Sequence, residues 1–371
     1  MQELKRIINY KRIILLLIAV TVNVVFFLYD NKPVMDEDII NKENVAHETY
    51  IKNYHEEVNA IIDNADKLKK YSIFNKAGSF SYANILQTAR DFERVKNVIL
   101  PEDEYKGVQA YTTYYYQYFF TMLVMMFVIY DMFAQRDNGM WSITYSCANG
   151  RIMYAIKQTG VIVVTGAFTH TLIYWSTFIA AMLQRGGVRD LVNPVQTIET
   201  FDKFTYPWSK IKYVTVLYLI SMVCIVALCI TIWGVFVMFR NRVYALVTML
   251  IFAAVEQFIY SHIDIHSVWN GLHYINIINI ININATFSSY RNWGVGTYVF
   301  PVFSVVLFVH IICAGVIGYI AINVSASMKP YKNTTFIKRF TDCVSAGCQK
   351  ILARIPFLFK EIHKFIFTSH C

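Results

Sequence analysis

The sequence predicts an all-α integral membrane protein: six transmembrane helices, with a helical-hairpin extracytoplasmic domain between the first and second spans. Three observations predict it. The 371 residues are 56% hydrophobic and 16% charged, with mean hydropathy +0.39, whereas soluble domains carry about 25% charged residues. The apolar residues gather into six long runs, and a run of about 20 suffices to cross a bilayer. The segment 31–110 holds no such run, but it carries apolar residues at helical spacing.

In chain order, residues 1–30 form a basic lead and the first span. Lys5, Arg6, Lys11 and Arg12 precede an apolar run from Ile13 to Tyr29, with Asn23 inside it. No small-residue cleavage site follows that run, so it reads as a retained span and not a signal peptide.

Residues 31–110 read as a polar domain with 11 Lys/Arg against 14 Asp/Glu. Ile51, Tyr54, Val58, Ile61, Ala65 and Leu68 are spaced 3, 4, 3, 4, 3, a heptad seam on a helix. A turn is expected at Asn75–Ser79, around Gly78. Ser81 is placed to cap a second helix, whose stripe is Ile85, Ala89, Phe92 and Val95. The two stripes can bury each other as a hairpin. That accounts for the apolar positions without any ligand.

Residues 111–328 form the membrane domain. Its spans are expected at about Tyr111–Phe133, Ile156–Leu183, Tyr213–Phe239, Val243–His262 and Val299–Val324. Tyr111, Tyr114, Tyr115, Tyr116 and Tyr118 suit an interfacial aromatic belt. Between the fifth and sixth spans the apolar residues alternate with Asn276, Asn279, Asn282 and Asn284. Asn is poor in helix interiors, so a short re-entrant or interfacial element buried against protein is expected. Residues 329–371 form a basic amphipathic tail suited to anionic lipid.

Charge orients the chain. Lys and Arg number 17 in the segments placed inside and 6 in the short outer loops, leaving out the long polar domain, which the positive-inside rule discounts. Both ends then lie in the cytoplasm. The seven cysteines (Cys147, Cys224, Cys229, Cys313, Cys343, Cys348 and Cys371) all fall in spans or on that inner side, so no disulfide framework is needed.

The polar stretch 136–157 between the second and third spans stands out. Gly139 and Gly150 bracket Met140–Asn149, about two turns of helix, with Asp137, Trp141, Arg151 and Lys157 around them. It reads as a short interfacial helix able to receive a push from a soluble partner. The residues alone favour an ordinary connecting loop, which any chain with several spans needs.

Candidate chemistry is sparse. Glu256, beside Gln257, falls inside the fifth span, where a charge costs about 2.5–3.5 kcal/mol near the bilayer centre and therefore faces protein or water. Either a substrate path or a structural hydrogen bond accounts for it. His262, Asp264 and His266 alternate, so on a strand they would point one way; interfacial polar residues explain them more simply than a metal site. No GxxxxGK[ST], Gly-x-Ser-x-Gly or His-Glu-x-x-His pattern occurs.

Several of these stretches resemble type-two ABC transporter permeases, the membrane subunits of Gram-positive bacterial exporters. The matching features are Asp137, Gly139, Gly150, Arg151 and Lys157, and the basic start with Asn23. They continue with Ile73-Phe74, Gly78-Ser79-Phe80, Asn84-Ile85 and Asp91-Phe92, and with Leu272, Tyr274, Ile275-Asn276, Tyr290 and Asn292. The family often has Glu where Asp137 stands, and it usually ends soon after the sixth span, so the tail is a departure.

The resemblance implies a permease subunit in a bacterial cytoplasmic membrane, moving a peptide or amphipathic compound outward. It implies that Asp137, Gly139, Met140, Trp141, Gly150 and Arg151 couple to a separate ABC ATPase subunit. That partner would hold ATP and magnesium, while this chain holds no cofactor and no metal. A second permease copy or a related permease would complete the path in the lipid membrane; no nucleic acid is involved. The rival reading is a non-transporting membrane sensor or immunity protein that binds an external peptide. An ion-coupled carrier rests on Glu256 alone.

Overall fold

The computed structural model describes residues 10–327, apart from 34–35, 72–75, 77, 102–105, 138–149, 240, 265–266 and 268. Six of its helices are long and apolar enough to cross a membrane. They are α1 (Tyr10–Asp30), α5 (Tyr116–Asp137), α6 (Gly150–Arg185), α7 (Lys210–Met238), α8 (Arg242–His262) and α12 (Val302–Ser327). Between α1 and α5 lie α2 (Glu37–Leu68), α3 (Phe80–Glu93) and the short α4 (Gly107–Thr113). Between α8 and α12 lie three short helices and two strands: α9 (Asn270–Ile275), α10 (Ile278–Ile281), α11 (Ile283–Ser288), β1 (Asn292–Val295) and β2 (Tyr298–Pro301).

α7 is the most enclosed span and packs against α5, α6 and α12. Trp233 and Phe236 on α7 are fully buried, as are Phe133 on α5 and Tyr174 on α6. The contact of α7 with α12 is close because Gly234 has no side chain: a Cβ there would lie 2.4 Å from Cγ2 of Ile317. α8 is the least enclosed span.

Polar side chains tie the first three spans together. Asn23, wholly buried on α1, donates from Nδ2 to Thr177 Oγ1 on α6 (2.7 Å). Its Oδ1 accepts from the Tyr114 hydroxyl (3.1 Å). Tyr114 sits in a break between α4 and α5, in extended backbone (φ −84°, ψ 96°). The second span therefore begins at Tyr116 and not at Tyr111; Tyr111–Thr113 belong to α4, which packs on α6. A continuous helix would carry the Tyr114 ring away from Asn23.

At the far end of these helices Arg12 pairs with Asp131, and Arg136 Nη1 donates to the Phe236 carbonyl (2.9 Å). The Arg242 guanidinium lies 4.5 Å from the Tyr130 ring centre. This is the basic end of the bundle. The 36 residues of α6 span about 54 Å, more than the roughly 30 Å of hydrocarbon. The helix is thus longer than the expected Ile156–Leu183.

The helices of the polar domain pack as their stripes predict. Tyr54, Val58 and Ala65 on α2 are buried, with Ile85 and Phe92 on α3 and Val95 just beyond it. Tyr50 joins them; Leu68, expected in the seam, is 36% exposed at the helix end. α2 starts well before the seam, at Asp36, whose side chain accepts from Asp38 N (3.0 Å). The cap of α3 is Ser79 and not Ser81: its Oγ accepts from Tyr82 N (3.2 Å). Gly78, at φ +84°, makes the turn that puts Ser79 in place.

One element departs from the all-α expectation. β1 and β2 form an antiparallel hairpin, with Val295 opposite Tyr298. Its two-residue turn is Gly296-Thr297, with Gly296 at φ +63°, a turn that glycine favours. Residues 299–301 therefore belong to the hairpin, and the sixth span begins at Val302. Pro301 has no N–H to give a longer helix.

Replacing Asn23 by Ala should lower the stability of the detergent-solubilised protein by about 1–3 kcal/mol, because two buried partners lose their mate. In a thermal-unfolding double-mutant cycle, Asn23→Ala and Tyr114→Phe should be non-additive by about 0.5 kcal/mol or more. Strict additivity would mean that the bond contributes nothing.

Candidate functional site

Two polar clusters and one connecting segment hold the residues singled out above. The first cluster surrounds Glu256. Oε2 of Glu256 accepts from the backbone N–H of Ile277 (3.0 Å), and the Glu256 carbonyl accepts from Asn276 Nδ2 (2.7 Å). The carboxylate thus serves an N–H of the broken segment that follows α8. Asn276 Oδ1 accepts from Ile278 N (2.8 Å), and Asn279 Nδ2 donates to the carbonyls of His273 (2.6 Å) and Tyr274 (3.0 Å). Asn284 Nδ2 donates to the Thr112 carbonyl (2.7 Å), while its Oδ1 accepts from the Tyr213 hydroxyl (2.6 Å).

The Ile/Asn alternation has a clear physical role. The short helices leave backbone groups without helical partners, and the Asn side chains supply them. Ile280 and Ile283 meanwhile face the core and are buried. Gln257, next to Glu256, is exposed.

The histidine alternation does not take the strand form that a shared ligand direction needs. His262 is the last residue of α8, and its Nδ1 lies 3.0 Å from the Phe258 carbonyl. His273 stacks on Tyr260 with centroids 4.6 Å apart. His266 lies outside the described residues. Among the described residues no group of His, Cys, Asp and Glu could hold a metal ion.

The second cluster joins the polar domain to the hairpin. Tyr290 donates its hydroxyl to Asp91 Oδ2 (3.0 Å), with Thr88 Oγ1 3.3 Å from the same oxygen. Asn292 Nδ2 donates to Asn84 Oδ1 (2.8 Å). Burial pushes the Tyr290 phenol up to about 12, so it stays a donor across the physiological range. Its ring meets Phe92 edge-on at 5.1 Å.

The Phe80 ring lies over Gly294, where a Cβ would fall 2.3 Å from the ring. A backbone bond from Val302 N to the Arg291 carbonyl (2.9 Å) carries this contact into α12. α2 is tied separately: Tyr50 donates to the Gln196 carbonyl (2.8 Å). Ser79-Phe80, Asn84, Asp91-Phe92, Tyr290 and Asn292 were separate stretches in the sequence. The fold puts Phe80, Asn84, Asp91 and Phe92 against the other two. Only the alternation of aromatic and β-branched residues around Gly296-Thr297 could have signalled the hairpin.

The connecting segment is only partly described. Asp137 is the last residue of α5, and Gly150 and Arg151 are the first of α6. Gly139, Met140 and Trp141 lie outside the described residues, as does the tail 329–371. With this geometry set out, no family model, curated protein or solved structure matches the chain.

Asn276→Ala removes two hydrogen bonds from the broken segment, whereas Glu256→Gln keeps an acceptor for Ile277 N–H. Hydrogen exchange at the amides of residues 277–280 should therefore speed up about tenfold or more in Asn276→Ala, equivalent to about 1.4 kcal/mol, and only slightly in Glu256→Gln. Equal effects would contradict this division of roles. Gly294→Ala should open the hairpin contact, read as faster proteolysis within residues 290–301. Unchanged cleavage would show that Phe80 moves aside at no cost.

Proposed function

We propose that the chain is the membrane-spanning subunit of an ATP-driven exporter. A separate ATPase would dock on the segment between α5 and α6, at the cytoplasmic face. The observation that supports this reading is continuity. α5 runs unbroken into Asp137, and α6 runs unbroken from Gly150, so both helices enter residues 138–149 directly from the bundle.

A displacement of that segment would be transmitted along two stiff helices. α5 is fastened to α7 by Arg136 and Phe236, so α7 would move with it. Packed helices tend to switch between discrete arrangements, and ATP binding to the partner would select one of them.

The basic end holds Arg12, Arg136 and Arg242, which fits a cytoplasmic face. The polar domain then lies outside, and its clasp on the hairpin would carry an outside event into α12. The same clasp is the feature a peptide sensor would use, so the sensor is the second reading.

The test co-expresses the chain with candidate ATPases of its own genome and purifies it in mild detergent. Wild type should bring down a protein that hydrolyses ATP. Replacing Gly139, Trp141 and Arg151 together by Ala should reduce the captured ATPase activity at least tenfold, while the six-span fold, read by circular dichroism, is retained. Capture of no ATPase by a well-folded wild type would sink the exporter reading, and external peptide binding would then be measured instead.

A further inference from the structure

α8 is held towards both ends and exposed in between. One face of it carries Ala245, Met249, Ala253, Glu256 and Tyr260, spaced 4, 4, 3 and 4. Ala245 and Met249 are buried, where the inner half of α8 packs on α5 and α7. Glu256 and Tyr260 meet the broken segment through the Asn276 and Ile277 bonds and the His273 stack.

Between these attachments every residue from Leu250 to Val255 is exposed, Ala253 among them. Successive residues of a helix turn by about 100°, so six in a row visit every face. A helix lying on its neighbours cannot expose six consecutive residues. α8 therefore stands off the bundle over about 9 Å, and a gap lies behind Ala253.

The gap has a chemistry. Glu256 borders it, about 9 Å from the outer end of α8, with the exposed amide of Gln257 beside it. On α12, His310 lies within electrostatic range of Glu256, and Cys313, one turn further in, is exposed. Among the described residues no Lys, Arg or His forms an ion pair with Glu256. A carboxylate at this depth is costly unless a cation or water compensates it.

We propose that the gap behind α8 is a lateral binding site for a cationic amphiphile. The hydrocarbon part would lie beside Ala253 between α8 and α12, and the cation on Glu256. Charge complementarity selects this occupant over a neutral acyl chain, which would leave the carboxylate with the Ile277 N–H and no ion pair. The proposal deepens the permease reading by naming a substrate class, and rests on that reading only for what happens to the ligand afterwards; binding needs no ATPase.

The full chain is reconstituted in phosphatidylcholine nanodiscs without nucleotide or partner. Two photoreactive probes are used: a dodecylammonium with a diazirine in its chain, and its uncharged N-acetyl analogue. Labelled residues are mapped by mass spectrometry. The cationic probe should label residues 250–257 and 310–317 in preference to α1, and Glu256→Gln should cut that labelling at least fivefold while leaving the neutral probe unchanged. Ala253→Trp, which fills the gap, should remove labelling there by both.

Equal labelling by the two probes, unaffected by Glu256→Gln, would overturn the proposal and mean that ordinary lipid occupies the gap. Crosslinks from α8 to a second copy of the chain at Ala253 would also overturn it. Because no ATPase is present, this experiment can fail while the coupling test succeeds, and the reverse.

Discussion

Inside hydrocarbon, a backbone or side-chain polar group has no water to turn to and must be satisfied by the chain itself. Much of this molecule's architecture follows from how asparagine meets that demand. Asn23 is a poor residue for the middle of an apolar helix, yet it is buried without exposure because α6 and the α4–α5 break each supply a partner. The same solution recurs where the chain abandons long helices after α8. There Asn279 bonds to backbone groups of the first short helix, while Asn276 and Asn284 tie the segment to carbonyls of α8 and α4. Glu256 belongs to this scheme as well, since its carboxylate accepts an N–H of the segment it faces.

These bonds also determine what can move. Spans α5, α6, α7 and α12 share a dense core with Trp233, Phe236, Phe133 and Tyr174 at its centre. α8 shares little of it and is held by its first half and by contacts of Glu256 and Tyr260 near its last turns. A helix so attached can swing with small changes in buried area. The polar domain is mounted the other way: Tyr290 and Asn292 clamp α3 to a hairpin that continues directly into α12.

Much of this was legible in the sequence because the relevant forces are local. Six apolar runs can satisfy their own backbone only as helices, so the spans could be read directly. The seam Tyr54, Val58 and Ala65 and the stripe Ile85 and Phe92 follow from helical spacing and burial alone. The wrong cap, Ser81 for Ser79, shows the limit of that reading: two serines two positions apart are equivalent until the turn at Gly78 selects one of them.

What the amino-acid order determined by itself is therefore the six helices long and apolar enough to cross a membrane, the helices of the polar domain and the unusual segment of alternating Ile and Asn. Hydrophobic periodicity encodes each of these within a window of a few turns. The tertiary structure decided the rest. It broke the second span at Tyr114, made a hairpin of residues 292–301 and brought Asn84 and Asp91 to residues two hundred positions away. Each depends on a partner distant in sequence. The energy of such a contact appears only when both partners are in place, so no local pattern could announce it.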